Sequence, residues 1–414
     1  MAESSEKTDS FILSEREKGM KNIIIVFILL FYACVIATQS SAQEIEIADG
    51  VRTVHNPKGG KWGEGLPFGI KRLRTIGDVY TDDENLAFNR PSEIVLDDAG
   101  NLYILDAGNN RIQKFGPEGK YIATYGRKGQ GPGEFNSPAS LDIDSRGYLY
   151  ISDRGNRRIQ ILTPEGGLER MIRPTKFSLS EVFVLNSGLL ALKGTVDYDI
   201  DSKKDTLLPK LIRLIDTEGN IKTEFGEMYD YKNPLLNRMG NRFHFVVDQD
   251  DACYLAFDYQ NRIEKYSLEG KLVWKADRVL NYTTKPLDKG KIEKTATSTS
   301  YQSPKMNTCS GGIAVDGKGR IWLVTFNRQI KKKEVVYTVV RGTQSGATRQ
   351  VVGDTDLQET DMYKLEIFDR DGILLGEIPL GHFVDEIYIE KDRLFLLDQM
   401  RGVKYFEYRI AENE

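Results

Sequence analysis

Three histidines, His55, His244 and His382, are the only imidazoles in the 414 residues. Imidazole is the usual proton carrier and metal ligand near neutral pH, so these positions bound the chemistry available. His55 lies in a polar stretch and is read as incidental. His244 opens the first apolar run of the unit Phe243–Lys275, and His382 precedes another run, Glu386–Ile389. Glu93 and Glu386 stand at matching points of two such runs, and His244 at the equivalent point of a third. One imidazole with two carboxylates suits calcium or zinc if the three meet. The competing reading is a polar lining for a wet channel. Asp106, Asp153 and Asp258 precede Arg111, Arg158 and Arg262 at near-constant spacing. A charged pair repeated this way is read as architectural, each Asp fixing a turn and holding its Arg. No Gly-x-Ser-x-Gly, His-Glu-x-x-His or dinucleotide fingerprint is present. Gly129-Gln-Gly131-Pro-Gly133 is followed by a strand-like run, not by the helix that a phosphate loop requires, so it is read as a connecting turn.

The elements that must position these residues repeat. Pro91-Ser-Glu-Ile-Val-Leu-Asp97-Asp-Ala-Gly100-Asn-Leu-Tyr-Ile-Leu-Asp106 recurs as Pro138-Ala-Ser-Leu-Asp-Ile-Asp144-Ser-Arg-Gly147-Tyr-Leu-Tyr-Ile-Ser-Asp153. Position 91 maps to 138, 97 to 144, 106 to 153 and 111 to 158, a shift of 47 residues each time. Within a unit, apolar runs alternate with Asp-x-x-Gly turns, in which Asp bonds nearby amides and Gly takes a left-handed conformation. Four strands per unit of this length are the requirement of a propeller blade.

Residues 88–166, with the linker Gly126–Pro138, resemble NHL repeats of the bacterial type. The resemblance implies an all-β six-bladed β-propeller of four-stranded antiparallel blades. It also implies a recognition platform for proteins or other polymers, such as glycans. Related six-bladed propellers include metal-dependent lactonases and amidating lyases, so a hydrolase or lyase with its site at the central channel is the alternative. Degenerate units follow near 180–226, 243–275, 312–378 and 386–408, with insertions at 197–209 and 328–361. The last unit has three strands, and a spare one, Ile70–Ile76, lies ahead of the first. The economical reading is that this N-terminal strand completes the last blade and closes the ring.

The bulk numbers agree with an exported binding protein. A formal net charge of −4 argues against nucleic acid as partner. The basic run Lys331–Lys333 is read as a solvated loop. Lys21, the apolar run Ile23–Ala37 and Ser40-Ser41-Ala42 have the plan of a secretory signal with cleavage before Gln43. Residues 23–37 as an uncleaved anchor, or lipidation at Cys34, are the other readings. All three place the body of the chain outside the cytoplasm, with the membrane touched only through this segment. The division expected is therefore 1–19 upstream extension, 20–42 signal or anchor, 43–69 approach segment and 70–410 propeller, the whole a monomer. Cys253 and Cys309 lack any CxxC context, and the sequence leaves their pairing open.

Overall fold

Alternating apolar and turn-forming segments close into a ring of six four-stranded antiparallel sheets in the computed structural model. It describes residues 43–63, 65–78, 81–174, 179–194, 208–295, 299–341 and 348–412. Ile45–Glu414 form one compact unit; Met1–Glu44 are a separate one, of which only residues 43 and 44 are described. The signal or anchor reading of residues 20–42 and most of the 197–209 insertion lie outside the described residues. No helix among the described residues is long and apolar enough to cross a membrane.

Blade I comprises Pro91–Leu96, Leu102–Asp106, Arg111–Phe115 and Tyr121–Tyr125, from channel to rim. Blade II repeats this with Pro138–Ile143, Leu149–Asp153, Arg158–Leu162 and Leu168–Ile172. The innermost strands of blades III to VI are Val182–Val184, Phe243–Val247, Ser310–Val315 and Glu386–Glu390. Blade VI takes its outermost strand, Phe68–Ile76, from the N-terminal side of the chain, antiparallel to Lys404–Glu412. The expected closure is thus present, with the strand two residues longer than read. Arg74 fastens it to the buried Glu407 at 2.6 Å.

The core is six separate wedges between neighbouring blades. Val95, Tyr103, Leu141 and Ile151 fill the wedge between I and II, and Ile94, Leu102, Phe395 and Tyr405 that between VI and I. Each sheet is therefore apolar on both faces, and burial of both supplies the main driving force for ring closure. At the Asp-x-x-Gly turns, Gly100 and Gly147 sit at φ 81° and 83°, a conformation a side chain resists. Asp97 Oδ1 accepts from the Asn101 amide at 2.9 Å, and Asp144 Oδ1 from the Tyr148 amide at 3.0 Å.

Four features go beyond the sequence reading. The approach segment forms a hairpin, Glu44–Ala48 and Val51–Asn56, whose second strand runs parallel to the rim strand Leu272–Arg278 of blade IV. His55 is thereby not incidental: its Nδ1 lies 2.8 Å from Asp277 Oδ2. A short helix, Pro234–Gly240, is capped by Asn233, whose side chain accepts from the Leu236 amide. A two-stranded hairpin, Lys291–Lys294 with Thr299–Gln302, lies in the connection from blade IV to blade V. Within the 328–361 insertion a second hairpin pairs Tyr337–Arg341 with Thr348–Val352. Lys331–Lys333 are exposed, as a solvated loop requires. Cys253 and Cys309 are both buried and free.

Candidate functional site

Every innermost strand ends at a tight turn, opened by Asp97, Asp144, Leu185, Asp248, Asp316 and Glu390 in blades I to VI. Four residues before these stand Glu93, Ser140, Glu181, His244, Gly312 and Glu386. A strand advances roughly 3.3 Å per residue, so equal offsets place these six at one depth of the channel. Two residues deeper, Val95, Asp142, Phe183, Val246, Ala314 and Tyr388 form a mostly apolar collar. All six collar residues, with Glu93, Glu181, His244 and Glu386 above them, line a cavity of about 270 Å³.

The face on which the first six residues, Glu93 and its counterparts (ring one), open is set by topology. Strand direction alternates within a blade, so the connections between blades and those between second and third strands share that face. The long connections lie there: residues 226–242, 279–309 and 327–358. The opposite face carries short turns such as Asp97–Asn101 and Asp216–Asn220.

Of the three residues singled out from sequence, the structure joins two directly. His244 Nδ1 lies 3.3 Å from Glu386 Oε1, and its Nε2 lies 3.3 Å from Asp258 Oδ1. The contact spans blade V, and Gly312 allows it. A Cβ at Gly312, held at φ 152°, would stand 3.3 Å from Glu386 Oε2 and 2.9 Å from Ile387 Cγ2. Burial disfavours the imidazolium, but the Glu386 and Asp258 carboxylates override it and raise the His244 pKa to about 9. His244 is therefore a cation at neutral pH.

Glu93, the third, turns to blade II, where its carboxylate accepts from the Leu141 amide. Burial holds its pKa well above the ordinary carboxylate range, opposed by that hydrogen bond and reinforced by Glu181. Among the described residues no group of three or more His, Cys, Asp or Glu side chains is arranged to hold a metal ion. His382 lies away from the channel, tilted against Phe406 with 4.1 Å between ring centroids and 2.8 Å from the Tyr408 hydroxyl.

The repeated Asp–Arg pairs divide. Asp106 accepts from the Asn89 amide, the Asn109 side chain and Arg111 Nε at 2.7, 2.8 and 2.8 Å. Asp153 repeats the pattern with Asn136, Asn156 and Arg158 at the same distances. Both are structural. The third pair does not form: Arg262 lies over the Phe257 ring and 3.5 Å from Glu264, while Asp258 faces Arg242 and His244. Asp258 and Arg262 are four residues apart where the other pairs are five, so the turn differs and Asp258 is released to the site.

Sequence reading missed Glu181, Asp142, Asp385 and Glu390. Glu181 is paired with Lys193 at 2.5 Å. Burial raises Asp142 to about 7, Asp385 to about 6 and Glu390 to about 8, opposed by backbone amides at Asp142 and Asp385 and to a lesser degree by the Arg401 charge at Asp385 and the Lys391 charge at Glu390. The four-residue offset from each turn was the available signal for Glu181.

Comparison with known proteins agrees at the level of the fold. The DUF5128 family, described as a six-bladed β-propeller, matches residues 79–269. A DUF4221-family protein from Bacteroides vulgatus superposes with a TM-score of 0.54 at 11% identity, over 84% of this chain and 99% of that one. A Bacteroides fragilis protein described as exported gives 0.51 at 12% identity, over 87% and 100%. Virginiamycin B lyase from Staphylococcus aureus gives 0.45 at 12% identity, over 83% and 99%. No curated protein sequence matches. The chain is a six-bladed β-propeller.

Proposed function

We propose that this protein is an extracytoplasmic binding module of NHL-like type whose ligand enters the channel at ring one. The observation that carries this reading is the convergence of Glu93, Glu181, His244 and Glu386 on one cavity, at the mouth framed by the long connections. A propeller needs nothing polar there for stability. Desolvating four ionisable groups costs free energy that a purely structural channel would avoid. The resemblance of residues 88–166 to NHL blades, the signal-like leader and the exported Bacteroides protein of similar fold support the class and the location. A protein or glycan partner would rest on the loop face and insert one group into the mouth.

The test is a thermal-shift panel of sugars, peptides, amines and acids on residues 43–414, repeated on Glu93→Ala/His244→Ala/Glu386→Ala. A compound that raises the melting temperature of the parent and leaves the triple variant unmoved supports the reading; binders that shift both equally oppose it. A second reading, hydrolase or lyase, is favoured by His244 alone. An imidazolium held by two carboxylates is placed to act as a general acid. Elemental analysis tests its metal-dependent form: stoichiometric calcium or zinc, lost in the triple variant, would favour it and call for lactone and lyase substrate screens, and no metal in either would oppose it.

A further inference from the structure

We propose that the channel cavity takes a linear organic ammonium ion, its charged end or ends on carboxylates and its alkyl body in the collar. The inference rests on the reading of the channel as a ligand site and names the ligand class. The cavity carries six carboxyl groups: Glu93, Asp142, Glu181, Asp385, Glu386 and Glu390. The nearby cations have partners: His244 has Glu386 and Asp258, Lys193 has Glu181, Lys391 has Asp98, and Arg401 has the Glu334 carbonyl and the Phe383 ring. Asp142 has backbone amides from Val184 and Ile143, and Asp385 that of Gln399. Glu390, whose half-buried side chain lines the cavity, has no hydrogen bond or ion pair among the described residues. At the mouth end, the buried Ser92 hydroxyl also lacks a partner.

The cavity thus has negative or proton-bearing oxygens at both ends and a waist that is apolar but for Asp142. Glu386 and Glu390 share one strand four residues apart, roughly 13 Å at the usual rise. Between those levels lie Val95, Phe183, Val246, Ala314 and Tyr388, with Asp142 the one carboxyl at their depth. Phe183 packs edge-on against Phe245, 4.7 Å between centroids, giving the waist a rigid aromatic wall. Aromatic faces, together with Glu390 as a carboxyl without a partner among the described residues, favour an alkylammonium over a hydrated metal ion. The small volume excludes bulky ligands and admits an unbranched chain.

Binding of a cation favours ionised carboxyls. Asp142, Asp385, Glu390 and Glu93 retain protons above the ordinary range, so the ligand displaces them. Affinity for an amine then rises from pH 6 to pH 8.5. The experiment is calorimetry of residues 43–414 with hexamethylenediamine and spermidine, against hexanediol, adipate and calcium chloride. The expected result is binding of the amines alone, stronger at the higher pH and with proton release. Asp142→Asn/Glu390→Gln should weaken it about ten-fold or more, as loss of charge-assisted contacts does. These amide replacements remove desolvated charges, so melting temperature checks that folding is retained. Equal binding of hexanediol, binding of calcium in place of amines, amine binding insensitive to the double variant, or no amine binding overturns the proposal. If hexanediol or adipate binds and Glu93→Ala/His244→Ala/Glu386→Ala abolishes it, the channel site stands and only the ammonium assignment falls. If amines bind equally to that triple variant, both fall.

Discussion

Gly312 has no side chain, and the His244–Glu386 contact depends on that. A methyl group there would crowd Ile387 and Glu386 on the neighbouring blade, in a backbone conformation that favours glycine. Gly312→Ala is expected to cost about 1–3 kcal/mol, measured by chemical denaturation. It should also lower the His244 pKa from about 9, read by NMR titration. Unchanged titration would mean that the pair tolerates the methyl group. The folded value lies above the 6.5 of an ordinary imidazole, so the pairing stabilises fully below that pH, and the contribution is lost as pH rises through about 9. Asp142 and Glu390, held up to about 7 and about 8, keep protons that the unfolded chain has released. Stability therefore falls as pH rises from the ordinary carboxylate range through those values. Asp142→Asn and Glu390→Gln should each flatten this fall between pH 5 and pH 9, with little change at pH 5. A steeper pH dependence in either variant would contradict the assigned desolvation. Glu93, His244 and Glu386 were readable in the sequence because they open similar apolar runs. Asp258 was misread as another architectural Asp, since one missing residue before Arg262 redirects it and only the fold reveals where.

At the scale of elements, the strap of residues 43–67 was the least legible part. Its hairpin has no repeat to compare with, and a parallel pairing to a distant rim strand leaves no local signal. Asn56 shows what the strap does. Its side chain accepts from the Leu374 amide at 2.7 Å and donates to the Gly372 carbonyl at 2.9 Å and the Asp277 carbonyl at 3.0 Å. One buried side chain thus ties blade IV to blade V. Asn56→Ala would leave buried backbone groups unpaired and should cost roughly 2–3 kcal/mol in denaturant unfolding. A change under half a kilocalorie would show that water replaces the amide. The blades themselves were legible in proportion to their turns: I and II through the 47-residue shift, and III through V despite insertions, because Asp216–Gly219 and Asp316–Gly319 keep the punctuation. The helix Pro234–Gly240 went unread, being short and set inside a connection.

For the whole molecule, closure is the property on which everything else depends. Six wedges are buried only if the ring is complete, and Phe68–Ile76 supplies its last strand. A chain beginning at residue 77 should expose the edge of Lys404–Glu412 and fail to give a cooperative thermal transition. A sharp transition near that of the parent would show that three strands suffice in blade VI. Closure also gives the ring two unlike faces, one with short Asp-x-x-Gly turns and one with the long connections and ring one. The most direct test of the functional account is backbone hydrogen exchange of residues 43–414 with and without the tightest binder from the panel. The account predicts protection at the ring-one strands, including Phe243–Val247 and Glu386–Glu390, and in the connections 226–242 and 279–309. Protection confined to the short turns of the opposite face, or to the rim strands, would contradict it.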